Sequence, residues 1–165
     1  MKKINLKKSE KFAGIVLAIL LLFVTLSSTF FFLGKLKVSI IEWVTFNACA
    51  PTSYLYLCLF FMFLIRKNSA VLVFTFLPIF IFGTMAMFVL PWNEANVIPH
   101  IGHIVMTMNL IWVLYVVFKH KNYKQSAMCF LISIIIFTPY IGYALLYNQA
   151  HAEDLVRLIQ QLQEL

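Results

Sequence analysis

Acidic residues are scarce in this chain: 6 of 165, against 13 Lys and Arg. Glycine is scarce too, with 5, and charged residues make up only 12%. Each shortage excludes something. With so little charge and 62% hydrophobic residues, a water-facing domain of this length could not cover its apolar surface, so the missing solvent is lipid. No Gly-rich phosphate loop is present, and 17 Phe beside 5 Gly point to bulky lipid-facing helices rather than a small-residue bundle. The three cysteines, Cys49, Cys58 and Cys129, form no CxxC and no zinc-finger spacing. Cys49 and Cys58 fall on one predicted helix, about 13 Å apart at 1.5 Å per residue, too far for a disulfide. The net charge of +7 is not a nucleic-acid signal. The basic residues sit in short clusters between apolar runs, where membrane topology requires them, and no basic patch interleaves with aromatics. There is no internal repeat and no low-complexity linker.

What is present is a series of apolar runs separated by charge. Residues 1–11 are basic. Residues 12–33 then run without a charge, longer than a signal-peptide core and with no A-x-A site, which predicts an uncleaved first span. The second apolar stretch runs from about 38 to 65, is interrupted by Glu42, Asn47 and Pro51, and is too long for one upright span. Its membrane part is placed at about 44–65, with Glu42 and Trp43 at an unsettled edge. A third span follows at about 70–90, bent at Pro78, and then the loop PWNEANVIP. The fourth and fifth spans are placed at about 100–118 and 126–147. Residues 148–165 change character: Leu155, Leu158, Ile159, Leu162 and Leu165 recur at helical spacing among charged and amide residues. The expected fold is all-α, a five-helix transmembrane bundle with a C-terminal amphipathic helix. With the N-terminus inside, the inner segments hold ten Lys or Arg and the outer segments only Lys35, Lys37 and Arg157. That bias predicts a cytoplasmic N-terminus and an extracellular C-terminus.

Depth can be counted from the charged inner ends. Cys49 lies 17 residues before Arg66 and His103 lies 16 before Lys119, so both stand roughly 25 Å up their helices. Tyr143 comes out at the same level. Asn47, Thr52, Ser53, His100 and Tyr140 lie within a turn or two of it, with Glu42 and Glu94 slightly further out. Polar groups are costly in a span, although Trp43, Trp92 and Tyr147 also fit an ordinary interfacial belt. Three chemistries could use this set. Cys49 could act as a nucleophile with His103, or alternatively His100, as base. His100 and His103 could share a metal, although an HxxH pair alone is a common accident; no metal or cofactor is expected. Asn47, Thr52, Glu94, Tyr140 and Tyr143 could line an outward-facing polar pocket that holds a lipid headgroup or small solute.

The stretches EWVTFNACAPTSYLYLCLFFMF, FGTMAMFVLP and PHIGHIVMTMNLIWVLY set a Trp–Cys span, a Gly–Pro span and a His-starting span in order. This order, over roughly residues 42–118, resembles the small polytopic YwaF-like membrane family, whose eukaryotic relatives are regarded as Cys-dependent phospholipid acyltransferases. The resemblance implies interest in Cys49 and in His100 or His103, and acyl transfer on a lipid or acylated substrate. It departs at Ala50, where family members commonly carry His, and the chain is shorter than typical members. Together these readings lead to a multi-pass protein of a bacterial plasma membrane. Its expected partners are membrane lipids and a second copy or partner membrane protein met through residues 152–165. An intramembrane Cys–His enzyme is the alternative to a binding or subunit role.

Overall fold

The computed structural model describes residues 4–93 and 96–163, all of them helix, turn or irregular backbone with no strand among them. Helix α1 (Lys8–Thr29) continues upward in a wider π-helical stretch, Phe30–Lys35. Then follow α2 (Ile40–Phe46), α3 (Cys49–Arg66), the short helices α4 (Ala70–Val73) and α5 (Phe76–Ile79), a π-helical stretch at Phe80–Met85, and α6 (Ala86–Val89). The chain closes with α7 (Val97–Lys119), α8 (Tyr123–Ala150) and α9 (Ala152–Gln163). Glu94 and Leu165, both singled out in the sequence, lie outside the described residues, as do the side chains of Leu158, Ile159 and Leu162.

Four helices are long and apolar enough to cross a membrane: Lys8–Lys35, Cys49–Arg66, Val97–Lys119 and Tyr123–Ala150. Large apolar side chains such as Phe12, Phe23, Phe61, Phe118 and Ile135 face outward from them. That is the surface of a membrane-embedded protein, for which lipid replaces water. The run expected as a third continuous span, 70–90, is instead broken. Thr75 leaves the helical region at φ −94°, ψ 5° and turns its hydroxyl onto the Leu72 carbonyl. Pro78 has no N–H to offer the preceding turn. The remaining apolar helix runs from Phe76 to Val89. The second span also starts later than expected. Ser39 and Glu42 form a reciprocal capping box that makes Ile40–Phe46 a helix of its own. It ends at Asn47, whose φ of −116° and ψ of 44° are not helical.

Helix α7 is the hub. Its most apolar 18-residue window is 56% buried, against 17% for α1 and for α8. It packs against α1 on one side and against Phe80–Met85 on the other, while α3 lies on α1 and α8 covers α2, α4 and α5. The tightest seam is at Gly14, where an added Cβ would stand 2.4 Å from the Trp112 ring. That ring packs edge-on against Phe60 and Phe63 of α3. Lipid is as apolar as the core, so close packing and polar bonds hold such helices together, not burial from water. Asn109, fully buried in mid-helix, supplies one bond: its Nδ2 donates to the Leu17 carbonyl of α1 at 3.1 Å and to Val105 O at 2.9 Å.

We call the end where α1 starts the lower end and the end where it finishes the upper end. At the lower end Glu10 is buried and accepts from Lys119 Nζ, from Tyr115 Oη at 3.1 Å and from the Lys7 amide at 2.9 Å. Trp112 Nε1 donates to the Glu10 carbonyl at 3.2 Å. Nearby, Asn122 Nδ2 donates to Ser69 Oγ at 3.1 Å and more loosely to Asn68 Oδ1 at 3.4 Å, joining the α3–α4 turn to the α7–α8 turn. These bonds tie α1 to α7 and one lower turn to the other.

Candidate functional site

Asn47 stands at the break between α2 and α3, and the break is what turns its side chain inward. It is buried, and Oδ1 accepts from Ser28 Oγ of α1 at 3.1 Å and from Cys49 Sγ at 3.0 Å. Cys49, the first residue of α3, is therefore held as a hydrogen-bond-donating thiol beside an amide. Asn47 Nδ2 has no protein partner. Thr52 and Ser53, one turn on, return their hydroxyls to the backbone: Thr52 to Ala48 O and Ser53 to Cys49 O, each at 2.8 Å. Tyr140 of α8 donates to the Val44 carbonyl at 2.9 Å, and Asn148 Nδ2 donates to Thr45 O at 3.0 Å. These two bonds fasten α8 to α2 on the far side of Asn47.

The second half of the site is on α7. His100 is 2% exposed and His103 7%. The indole of Trp92 lies flat on the His100 ring, with centroids 3.9 Å apart and planes at 6°. His103 meets His100 nearly edge-on at 6.5 Å. His100 Nε2 is 3.3 Å from the Pro91 carbonyl. A carbonyl only accepts, so Nε2 is the donor in this contact. The Nδ1 atoms of both His100 and His103 are buried without a protein partner. Thr107 donates to the His103 carbonyl at 2.8 Å, so its single hydroxyl proton is used and Thr84, 3.1 Å away, donates to it. Thr84 sits in the Phe80–Met85 π stretch, where Gly83 lets the backbone come close enough to α7 that a Cβ would stand 2.9 Å from Met106 Cβ. Helix α1 joins the two halves: Val24 packs where a Cβ on Gly102 would lie, and Ser28, one turn above it, reaches Asn47.

Among the residues expected from the sequence, Asn47, Cys49 and Thr52 are thus found together around the α2–α3 break, with Tyr140 at its edge. His100 and His103 form a separate ring cluster under Trp92. No thiol–imidazole hydrogen bond joins the two groups among the described residues; the bond from Cys49 goes to Asn47. Tyr143 is not part of either. It is 53% exposed, and its ring lies tilted beside that of Tyr147. Ile141 and Ala144 mark the inward face of α8, and Tyr143, about 100° away from Ala144 at 3.6 residues per turn, points outward. Counting residues along a helix gives height and says nothing of direction around the axis.

Ser28 was missed from the sequence because a serine in an apolar run reads as filler, and only the fold brings it to Asn47. Among the described residues, no three of His, Cys, Asp and Glu converge in a way that could hold a metal ion, and all three cysteines are free thiols. Two depressions are defined elsewhere on the surface: one of about 370 Å³ along Ala152, Glu153, Val156 and Arg157, and one of about 200 Å³ at the lower end. No family model matches the chain, and no curated protein or solved structure matches it.

Proposed function

We propose that this is a five-span membrane protein that recognises a small polar solute or a lipid headgroup at its upper end. In this reading the broken segment Ala70–Val89 serves as the remaining span. The concentration of Lys and Arg at the lower end supports a cytoplasmic lower end with α9 outside, as for a multi-pass protein of a bacterial plasma membrane. One observation carries the binding role. His100 Nδ1, His103 Nδ1 and Asn47 Nδ2 are buried polar atoms without a protein partner, in a surrounding where each such atom costs about 1–3 kcal/mol. Native proteins keep few of them, and a group clustered at one end of a bundle fits a ligand that supplies the missing bonds.

The hydrogen bond from Cys49 to an amide favours binding over nucleophilic catalysis, since a thiolate needs a base to take its proton. Acyl transfer by Cys49, which the YwaF-like resemblance implies, is the alternative, and a partner docked on residues 152–165 is compatible with either. The test compares what co-purifies with the wild-type protein and with the His100→Leu/His103→Leu variant, by mass spectrometry of the extracted small molecules and lipids. A species present with the wild type and lost from the folded variant supports the reading. Identical inventories remove it. Cys49→Ser keeps the ligand, because a serine hydroxyl can still donate to Asn47 Oδ1; loss of the ligand with Cys49→Ser would move the balance to catalysis.

A further inference from the structure

The lower end carries a groove that the upper site does not use. Its walls are Ile4, Asn5 and Leu6 of the N-terminal segment, Lys11 of α1, and Phe63, Leu64 and Lys67 at the end of α3, enclosing about 200 Å³. The segment is fixed in place: Ile4 is buried, and its N–H donates to the Lys67 carbonyl at 2.7 Å. Lys67 ends α3 in the left-handed region at φ 55°, ψ 35°, a conformation that favours glycine. Its side chain and that of Lys11 are exposed, and neither pairs with a carboxylate among the described residues. Glu10, next to Lys11, does not neutralise them, because its carboxylate is committed to Lys119 and Tyr115 of α7. Its apolar lining is the half-buried Leu6 and Leu64, since Ile4 and Phe63 are buried, and α3 turns the exposed Phe61 and Ile65 outward beside it.

Two ammonium groups without a carboxylate partner among the described residues, beside Leu6 and Leu64 at the lower rim of lipid-facing helices, match one kind of molecule. We propose that this groove binds an anionic phospholipid of the adjacent leaflet. Its phosphate lies between Lys11 and Lys67, and the start of an acyl chain lies along Leu6 and Leu64. The phosphate takes charge-assisted bonds from the two ammonium groups, and the chain stays in its own solvent. A zwitterionic lipid brings a second, repelled cation to the same place and binds less well.

The geometry supplies a matched test. Lys11→Gln/Lys67→Gly removes both charges and puts glycine where the left-handed backbone wants it. Lys121→Gly/Lys124→Gln removes two charges from the same end, at another left-handed lysine (φ 50°) and outside the groove. Full-length protein is offered equimolar phosphatidylglycerol and phosphatidylcholine in detergent, and bound lipid is read by native mass spectrometry. The wild type retains phosphatidylglycerol preferentially. The groove variant loses that preference by about tenfold or more, and the control variant stays within about twofold of wild type. Equal losses in the two variants, or none in the groove variant, overturn the proposal. So does displacement of the lipid by an equal concentration of inorganic phosphate, which would make this a free-anion site. His100→Leu/His103→Leu leaves the preference unchanged, which keeps this outcome separate from that of the upper site.

Discussion

The two ends of the bundle treat polar groups in opposite ways. At the lower end the polar side chains are spent on one another: Glu10 accepts from three groups, Asn122 bridges two turns, and Trp112 anchors to the backbone of α1. The unpaired atoms there include Gln125 Oε1 and Ser126 Oγ, neighbours on one helix. At the upper end, Trp43 Nε1, Asn47 Nδ2, His100 Nδ1, His103 Nδ1 and Asn148 Oδ1 are buried without protein partners, and they come from α2, the α2–α3 break, α7 and α8. A satisfied network rigidifies, whereas an unsatisfied one is a cost that packing alone does not return. The lower end therefore joins its elements through paired polar groups, while the upper end, though bonded at its edges, keeps buried donors and acceptors unpaired.

The largest test of this contrast is Trp112→Ala. It empties the space between Gly14, Phe60 and Phe63 and removes a bond to Glu10, and large-to-small changes of this kind cost about 3–5 kcal/mol. Unfolding in mild detergent should show the loss as a marked fall in melting temperature. Gly14→Ala, which drives a Cβ into the same ring, should cost about 1–3 kcal/mol. In the Trp112→Ala background it should cost little, because the clash has gone. Additive losses would mean that the ring and the glycine do not share one contact.

A smaller effect is expected at the edge of the upper end. Side-chain and backbone hydrogen bonds to Ser39 hold the Glu42 carboxyl below its ordinary value of 4.5. A carboxylate whose folded pKa is depressed stabilises fully above its unfolded pKa and loses that contribution as pH falls through the folded value. The melting temperature should therefore drop on acidification below about pH 4.5, and the part due to this cap should vanish in Glu42→Gln. The same acid slope in both proteins would show that the capping box contributes nothing. The smallest effect belongs to His103→Leu. Replacing a buried polar side chain that has no partner with an apolar one of similar size should leave stability unchanged or slightly raised. A loss comparable to that of Trp112→Ala would collapse the distinction between the ends.

Helix class, the basic lower end and the charge-free runs were legible because each is written in one dimension: length, hydropathy and the charges that punctuate them. The start of α3 was not. The capping box Ser39–Glu42 was readable as a helix start, but that the helix would close after seven residues at Asn47 depends on Ser28 and Tyr140 arriving from elsewhere in the chain. Nothing in the basic stretch around Glu10 marks it as buried, because its burial comes from α7, more than 100 positions away. His100, His103 and Asn47 were singled out by depth, which helical rise supplies, and all three are buried at the upper end. Tyr143 was placed at the same depth but faces outward, and direction around a helix is set by its neighbours.

The π-helical stretches Phe30–Lys35 and Phe80–Met85 bear on how this molecule can change. A wide turn holds one residue more than an α-turn in the same rise, so it absorbs that residue without turning the helix above against the helix below. Removing one residue from either stretch would close it to an α-turn and leave what lies above near its present phase, whereas a deletion within a regular α-helical turn would rotate it by about 100°. The seam at Gly14 and Trp112 would keep its register. These two places are thus where a residue can be lost while the upper faces and the lower half both stay as built.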